Sequence, residues 1–198
     1  MGKPLDESFF NQSAQSLAVA LVGTIMVRRV GRVVRRARVV ETEAYIGMHD
    51  LASHASKGRT RRTEVMFGPA GRAYVYFIYG MHQMLNIVSA PPREGDAGAV
   101  LLRAAEPLDG WGIDLTGPGR LARAFNIVAT DNGMLVTGDD LHFIADDYRP
   151  RVVRAKRVGV DYAEHWKHRL LRFVDAANPV ATKLKGWRKK KPRTKRAI

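Results

Sequence analysis

The segment from Val39 to Leu108 decides the fold, because it carries VVETEAY at residues 39–45 and AYVYFIYG at residues 73–80. Both stretches are rich in the β-branched and aromatic residues that favour extended strands. Since alternate residues of a strand share one face, the two glutamates and the tyrosine of the first stretch should point to the same side. Tyr74 and Tyr76 should share a face in the same way. Carboxylates close to flat aromatic side chains indicate acid–base chemistry on a flat substrate.

Each of these features also has a purely structural explanation. Glu41 and Glu43 fit the solvated face of an amphipathic strand, and tyrosines pack well in any sheet. Asn86 lies between apolar residues of another predicted strand, where its amide must find hydrogen-bond partners. Glu41 could perturb Glu43 electrostatically, but we expect a structural role for it.

The chain is unusually basic. Its 198 residues include 33 lysines and arginines against 19 acidic residues, which gives a formal net charge of +14. The tail from Lys183 to Arg196 contains no acidic residue, and the rest of the chain is basic even without it. A phosphate backbone is the commonest partner for such a surface. An anionic membrane and plain solubility are the alternatives that charge alone leaves open.

The chain contains no cysteine, which excludes disulfides, zinc ribbons and iron–sulfur clusters. Its six histidines form no HExxH pair, so we expect neither a metal site nor a cofactor. The apolar run from Ala14 to Val27 is too short to cross a bilayer and lacks the flanks of a signal peptide. We therefore expect a protein without membrane association, in the cytoplasm at the nucleoid, or in the nucleus of a eukaryote.

The pattern of helices and strands predicts one α+β domain. A helix through Phe10 and Leu21 should end at Gly23. Strands are predicted at 24–29, 33–45, after 72, and at 85–89, 99–104, 141–145, 152–158 and 170–174, with a long loop at 46–67. The glycines at 117–119 either begin a core helix or hold a phosphate at its start. We expect a single compact mixed domain at residues 1–182, with a curved, largely antiparallel sheet flanked by helices, and a flexible basic tail at residues 183–198.

The order and spacing of short motifs along the chain resemble those of one known family. These motifs are ETEAY (41–45), His54, MF (66–67), YVY (74–76), YGM (79–81), NI (86–87), LLRA (101–104), GPG (117–119), RVGV (157–160) and LRF (171–173). Together they resemble the alkyladenine, or 3-methyladenine, DNA glycosylases of the mammalian and bacterial type, over nearly all of residues 10–182. The resemblance implies a monofunctional glycosylase of base excision repair that flips damaged purines out of duplex DNA and leaves an abasic site.

The same resemblance implies a role for each residue of the base pocket. Glu43 matches the general base that activates the water attacking the sugar C1′. Tyr45 and Tyr76 match the aromatic residues that sandwich the flipped base, with His54 at its edge. Asn86 matches the residue that crowds the exocyclic amine of guanine and so discriminates against the normal base.

Further residues are expected to contact DNA outside the pocket. Tyr79 matches the side chain that inserts into the duplex where the nucleotide was extruded. Arg103 matches a residue that holds the backbone beside the flipped nucleotide. We also expect Arg59, Arg61 and Arg62, in the basic part of the long loop, to contact DNA phosphates.

The chemistry implied by the resemblance is consistent with a single carboxylate. Extruding a nucleotide costs a few kcal/mol, and stacking on aromatic walls returns about 1–3 kcal/mol per base. 3-Methyladenine and 7-methylguanine are cationic in DNA and leave without further protonation, so Glu43 suffices as the base. Hypoxanthine and ethenoadenine are neutral and need a proton on the ring.

Two other kinds of function remain open at this point. A non-catalytic basic module could use its tyrosines only to stack DNA bases, and an RNA-binding protein would suit the net charge equally well. The glycosylase hypothesis predicts duplex DNA as the partner and a monomer as the acting species. No lysine occupies the matched pocket, so no strand-nicking lyase activity is expected.

Overall fold

The computed structural model describes residues 2–78 and 82–187. Its helices are α1 (Glu7–Phe10), α2 (Ala14–Leu21) and α3 (Pro118–Ala124). Its strands are β1 (Ile25–Val30), β2 (Val33–Tyr45), β3 (Ala73–Ile78), β4 (His82–Ser89), β5 (Gly98–Pro107), β6 (Leu141–Ile144), β7 (Val152–Ala155) and β8 (Arg172–Asp175).

All strand pairings of this sheet are antiparallel, in the order β3-β4-β5-β2-β1-β6, with β8 added to β2 and β7 added to β8. Strand β2 is long enough to have two different neighbours on one edge. Its first part pairs with β1, residues 41–43 pair with β8, and β5 runs along its other edge. The predicted α+β class, with one curled and largely antiparallel sheet, is confirmed.

Helix α2 covers one face of the sheet and supplies much of the core. Ser13 caps its first turn by accepting the Ser16 N–H, and the α2 residues Leu17 and Leu21 are fully buried. The Thr42 hydroxyl donates to the Ala18 carbonyl at 2.7 Å, which ties α2 to the strand of the glutamates. This packing leaves the opposite face of β2 available to form a site.

Some boundaries differ from those predicted from the sequence. The predicted first helix is two helices, because the N-cap at Ser13 starts a new one. The long loop at 46–67 contains two 3-10 turns, His54–Lys57 and Glu64–Phe67, which give it a defined path. The chain remains packed beyond residue 182, since Leu184 is buried against Val40 in a small apolar cluster.

Within the described ranges, no helix has the length and apolar character needed to cross a membrane. The same part of the chain contains no cluster of three or more histidine, aspartate or glutamate side chains that could hold a metal ion.

Candidate active site

A cavity of about 220 Å³ opens between β3, β4, β5 and the segment after β7. Five of the residues selected from the sequence line it: Tyr45, His54, Tyr76, Asn86 and Arg103. Its remaining walls include Tyr74, Tyr162, Met66, Met84, Leu101, Pro118 and residues 158–160. The cavity is therefore mainly aromatic and apolar, with a few polar groups, as expected of a site for a flat ring.

Glu43 lies directly behind this cavity and is fully buried. Its Oε1 accepts the backbone N–H of Val158 at 2.7 Å. Its Oε2 accepts the Tyr45 hydroxyl at 3.0 Å and lies 3.3 Å from Arg103 Nη1. All three donor residues also line the cavity. A carboxylate has roughly four acceptor positions, and these contacts with described residues use three of them, two on Oε2 and one on Oε1.

The structural explanation of the glutamates as a solvated strand face is wrong. Glu41 is 2% exposed and Glu43 is completely buried. The reason is that β2 is an internal strand at this point, with β5 on one edge and β8 on the other. Two buried carboxylates require cationic or hydrogen-bonding partners, and arginines provide them.

Arg103, on β5, lies between the two glutamates. Its Nε donates to Glu41 at 3.0 Å while its Nη1 contacts Glu43, and the residue is 8% exposed. Its guanidinium therefore contacts the carboxylates beneath the cavity, whereas the resemblance implies a contact with the DNA backbone. Arg172, which the sequence analysis assigned no role, contacts Glu41 Oε1 through its Nε at 2.5 Å.

The aromatic walls are held by a short hydrogen-bond network. His54 Nδ1 lies 2.9 Å from the Tyr74 hydroxyl, and its ring packs edge-on against Tyr76 with centroids 4.4 Å apart. The Asn86 amide donates to the Tyr74 carbonyl at 3.1 Å across the β3–β4 pair. These contacts fix His54 and Asn86 on the cavity wall, and Tyr74 is a wall residue that the sequence analysis had treated as packing.

A second buried ion pair supports the wall formed by Tyr45. Arg157 contacts both carboxylate oxygens of Asp50, at 2.6 and 2.8 Å, and both side chains are fully buried. The same guanidinium lies 4.8 Å from the centre of the Tyr45 ring and donates to the Ala44 carbonyl. This clamp joins the end of β2 to the loop that carries Val158. The RVGV motif was noticed in the sequence, but nothing local indicated its partner.

The basic loop lies at the surface near the cavity. Arg59, Arg61 and Arg62 are all exposed. Arg59 forms an ion pair with Glu64, and Arg62 lies 5.6 Å from the centre of the Tyr76 ring. The predicted wedge, Tyr79, lies outside the described residues.

Burial sets the protonation states of the site. Burial raises the pKa of Glu43, with a smaller increase from Glu41, against the lowering effects of Arg103, the Val158 N–H and the Tyr45 hydroxyl. Burial also raises the pKa of Tyr45 well above its ordinary value, so its hydroxyl remains a donor to Glu43. Burial and the nearby Arg62 charge lower the pKa of His54 to about 4, which leaves the imidazole neutral at neutral pH.

The pKa of His54 predicts a pH-dependent contribution to stability. Because its folded-state value of about 4 is below the ordinary 6.5, the unfolded chain takes up the proton first as the pH falls. We expect the free energy of unfolding of the wild type, measured relative to that of His54→Gln, to decrease as the pH falls from 6.5 to about 4. Urea unfolding at a series of pH values measures the difference, and a difference independent of pH would contradict the assignment.

Comparison with known proteins identifies the family of this arrangement. The profile of the Methylpurine-DNA glycosylase family matches residues 8–179.

Three similar proteins carry the name "Putative 3-methyladenine DNA glycosylase". The one from Anaeromyxobacter sp. (strain Fw109-5) is 47% identical over 188 residues, covering 93% of this chain and 95% of the relative. The one from Legionella pneumophila (strain Lens) is 41% identical over 184 residues, covering 91% and 99%. The one from Myxococcus xanthus (strain DK1622) is 48% identical over 166 residues, covering 82% and 84%. With a buried glutamate behind an aromatic cavity and this extent of similarity, the chain belongs to the methylpurine-DNA glycosylase family.

Proposed function

We propose that this protein excises methylated purines from duplex DNA by hydrolysis, with Glu43 as the general base for the attacking water. The observation that carries the proposal is the position of Glu43: it is fully buried behind an aromatic cavity, and its contacts with the described residues use three of its roughly four acceptor positions. Family membership supports glycosylase activity, and the geometry supports this residue as the base.

The aromatic lining of the cavity is consistent with a flipped base as its occupant. Tyr45 and Tyr76 offer ring faces for stacking, and a cationic methylated purine gains more from such faces than a neutral one. A base in this cavity places its glycosidic bond at the mouth, on the side where DNA must lie. The exposed Arg61 and Arg62 supply positive charge for the phosphates beside it. We propose that the protein acts as a monomer. The described part of one molecule contains the general base, Glu43, and both aromatic walls of the cavity, Tyr45 and Tyr76.

The reaction then needs only one carboxylate. A purine methylated at N3 or N7 already carries the positive charge that makes it a good leaving group, so no general acid is required. As the bond to the base breaks, the sugar becomes oxocarbenium-like, and water attacks C1′ while Glu43 removes its proton. The negative charge of Glu43 also stabilises the developing cation.

The substrate class is tested with a panel of duplexes, each carrying one lesion. The duplexes contain 7-methylguanine, hypoxanthine, ethenoadenine or undamaged purines, and alkali converts abasic sites into strand breaks. We expect cleavage at 7-methylguanine after alkali treatment. Slower release of the neutral lesions fits the single-carboxylate mechanism, whereas a preference for them over 7-methylguanine would contradict it.

Asn86 should determine how strongly the cavity rejects normal guanine. Its amide donates to the Tyr74 carbonyl, and this hydrogen bond restrains its rotation away from an exocyclic amine. We expect Asn86→Ala to raise the release of undamaged guanine between about 10- and 200-fold relative to that of hypoxanthine, which lacks the exocyclic amine, as for other steric discriminations in enzyme pockets. Quantification of the free bases released from an undamaged duplex and from a hypoxanthine duplex measures this ratio, and an unchanged ratio would remove the role from Asn86.

A further inference from the structure

Four buried charged side chains form a continuous row beneath the cavity. Arg172 Nε lies 2.5 Å from Glu41 Oε1. The same oxygen accepts the Nε of Arg103 at 3.0 Å, and Arg103 Nη1 lies 3.3 Å from Glu43 Oε2. Each of these side chains is at most 9% exposed. The row therefore connects Glu43, the general base of the proposed reaction, to a cation on the neighbouring strand β8.

The sheet itself produces this order. The two carboxylates belong to β2, while one arginine comes from β5 and the other from β8, the strands on either side. The β2–β5 register shifts between Val39 and Glu41 and again between Glu41 and Thr42. Irregularities of this kind redirect side chains and are common next to active sites. Here the shift occurs at the residue that contacts both arginines.

Stability alone is a poor explanation for such a row. Buried ion pairs lose much of their attraction to desolvation, and apolar residues of similar size are often as stable or more so. Arg172 illustrates the cost, since its Nε and Nη2 have no hydrogen bond of good geometry among the described residues. Its close contact with the Glu41 carboxylate is an electrostatic one.

We propose that Glu41 is a positioning residue for base release: anchored by Arg172, it holds Arg103 in the orientation that contacts Glu43 through a single nitrogen. This inference rests on the proposed function. Without the Glu41 carboxylate, the Arg103 fork is free to turn and bind both oxygens of Glu43. It would then occupy the acceptor position that the water requires.

The row also affects the basicity of Glu43. The negative charge of Glu41 raises the pKa of Glu43, in addition to the larger effect of burial, while Arg103 lowers it. In the described part of the chain, Tyr45, Tyr76 and Arg157 also interact with Glu43. Loss of the Glu41 charge and a tighter Arg103 contact act in the same direction, because both make Glu43 a weaker base.

The test is the single-turnover rate of base release from a 7-methylguanine duplex, measured from about pH 5 to about pH 9. For Glu41→Gln we expect the plateau rate to fall between about 10- and 100-fold, which is typical of misplaced catalytic groups. We also expect the acid limb of the profile to move to lower pH. Affinity for a duplex with an abasic-site analogue should stay within about twofold, because the substitution does not reach the surface.

Two further variants make the result specific. Asp131→Asn breaks a comparably buried ion pair, with Arg28, outside the cavity. It should lower Tm without changing the rate or the acid limb. Arg172→Lys keeps a buried cation but loses the Nε that contacts Glu41, so it should show the rate loss of Glu41→Gln in smaller measure. If Glu41→Gln does not fold, the rate and the acid limb of Arg172→Lys test the role of Glu41 in its place.

The outcomes separate the two proposals. If the wild type releases no base, the proposed function fails, and the role of Glu41 fails with it. If the wild type is active and Glu41→Gln keeps both its plateau and its acid limb, Glu41 is only structural. If Asp131→Asn lost as much of the rate as Glu41→Gln, the loss would reflect general destabilisation, and the proposal would be overturned.

Discussion

Replacing Glu43 with glutamine should lower the rate of 7-methylguanine release by about a thousandfold or more, while DNA binding is retained. Loss of a general base typically costs 10²–10⁴-fold, and here the same carboxylate also stabilises the sugar cation. The amide keeps the shape of the side chain and an oxygen for the Val158 N–H. Single-turnover rates and affinities for an abasic-analogue duplex separate the two effects.

The same variant should be no less stable than the wild type at neutral pH. Because burial raises the folded-state pKa of Glu43, its stability contribution is complete below the ordinary value of 4.5 and is lost as the pH rises through the folded value. Thermal unfolding should therefore favour Glu43→Gln increasingly as the pH rises. The matched control is Glu106→Gln, on β5 and away from the cavity, which should keep the wild-type rate. If Glu43→Gln released 7-methylguanine at the wild-type rate, Glu43 would be excluded as the general base.

Replacing Arg103 with methionine should be strongly destabilising as well as inactivating. The substitution leaves Glu41 and Glu43 buried together and removes the guanidinium that contacts both carboxylates, while Arg172 still contacts Glu41. Removing one partner from a buried ionic network usually costs about 3–5 kcal/mol, since the other charge is left uncompensated. We expect a loss of that size in the free energy of unfolding, measured by urea denaturation at neutral pH.

A double variant tests the electrostatic origin of this loss. Arg103→Met combined with Glu41→Gln removes one of the two carboxylates that have lost the Arg103 guanidinium. The double variant should therefore recover part of the stability lost in Arg103→Met. Neighbouring residues of one ionic network are expected to be non-additive in this way. Simple additivity of the two single effects would show that Arg103 stabilises by packing of its side-chain stem instead.

Local sequence patterns were sufficient to predict the strands and the shared face of Tyr74 and Tyr76, whereas the role of Tyr45 and Tyr76 as walls of a base pocket came from the family resemblance. Alternation along β3 correctly places Tyr74 and Tyr76 on one face, because a strand has a side-chain period of two. The antiparallel hairpin of β1 and β2 followed from the turn at Gly31, which has a φ of 58°. These features depend on neighbouring residues, which is why the sequence reveals them.

The burial of the glutamates could not be predicted in this way. Whether a polar strand face is solvated depends on what covers it, and β8 reaches β2 from the far end of the chain. The same is true of the arginines: the contact of Arg172 with Glu41 and that of Arg157 with Asp50 join residues far apart in sequence. Motif resemblance indicated Glu43 but not the ionic row that surrounds it.

The central claim is that this protein hydrolyses the bond between a methylated purine and its sugar with Glu43 as the base. The most direct measurement quantifies the free base released from a 7-methylguanine duplex before any alkali treatment, for the wild type and Glu43→Gln side by side. The account predicts free 7-methylguanine from the wild type, with intact strands until alkali is added, and almost none from the variant. Equal release by both proteins, or no release by the wild type, would contradict it.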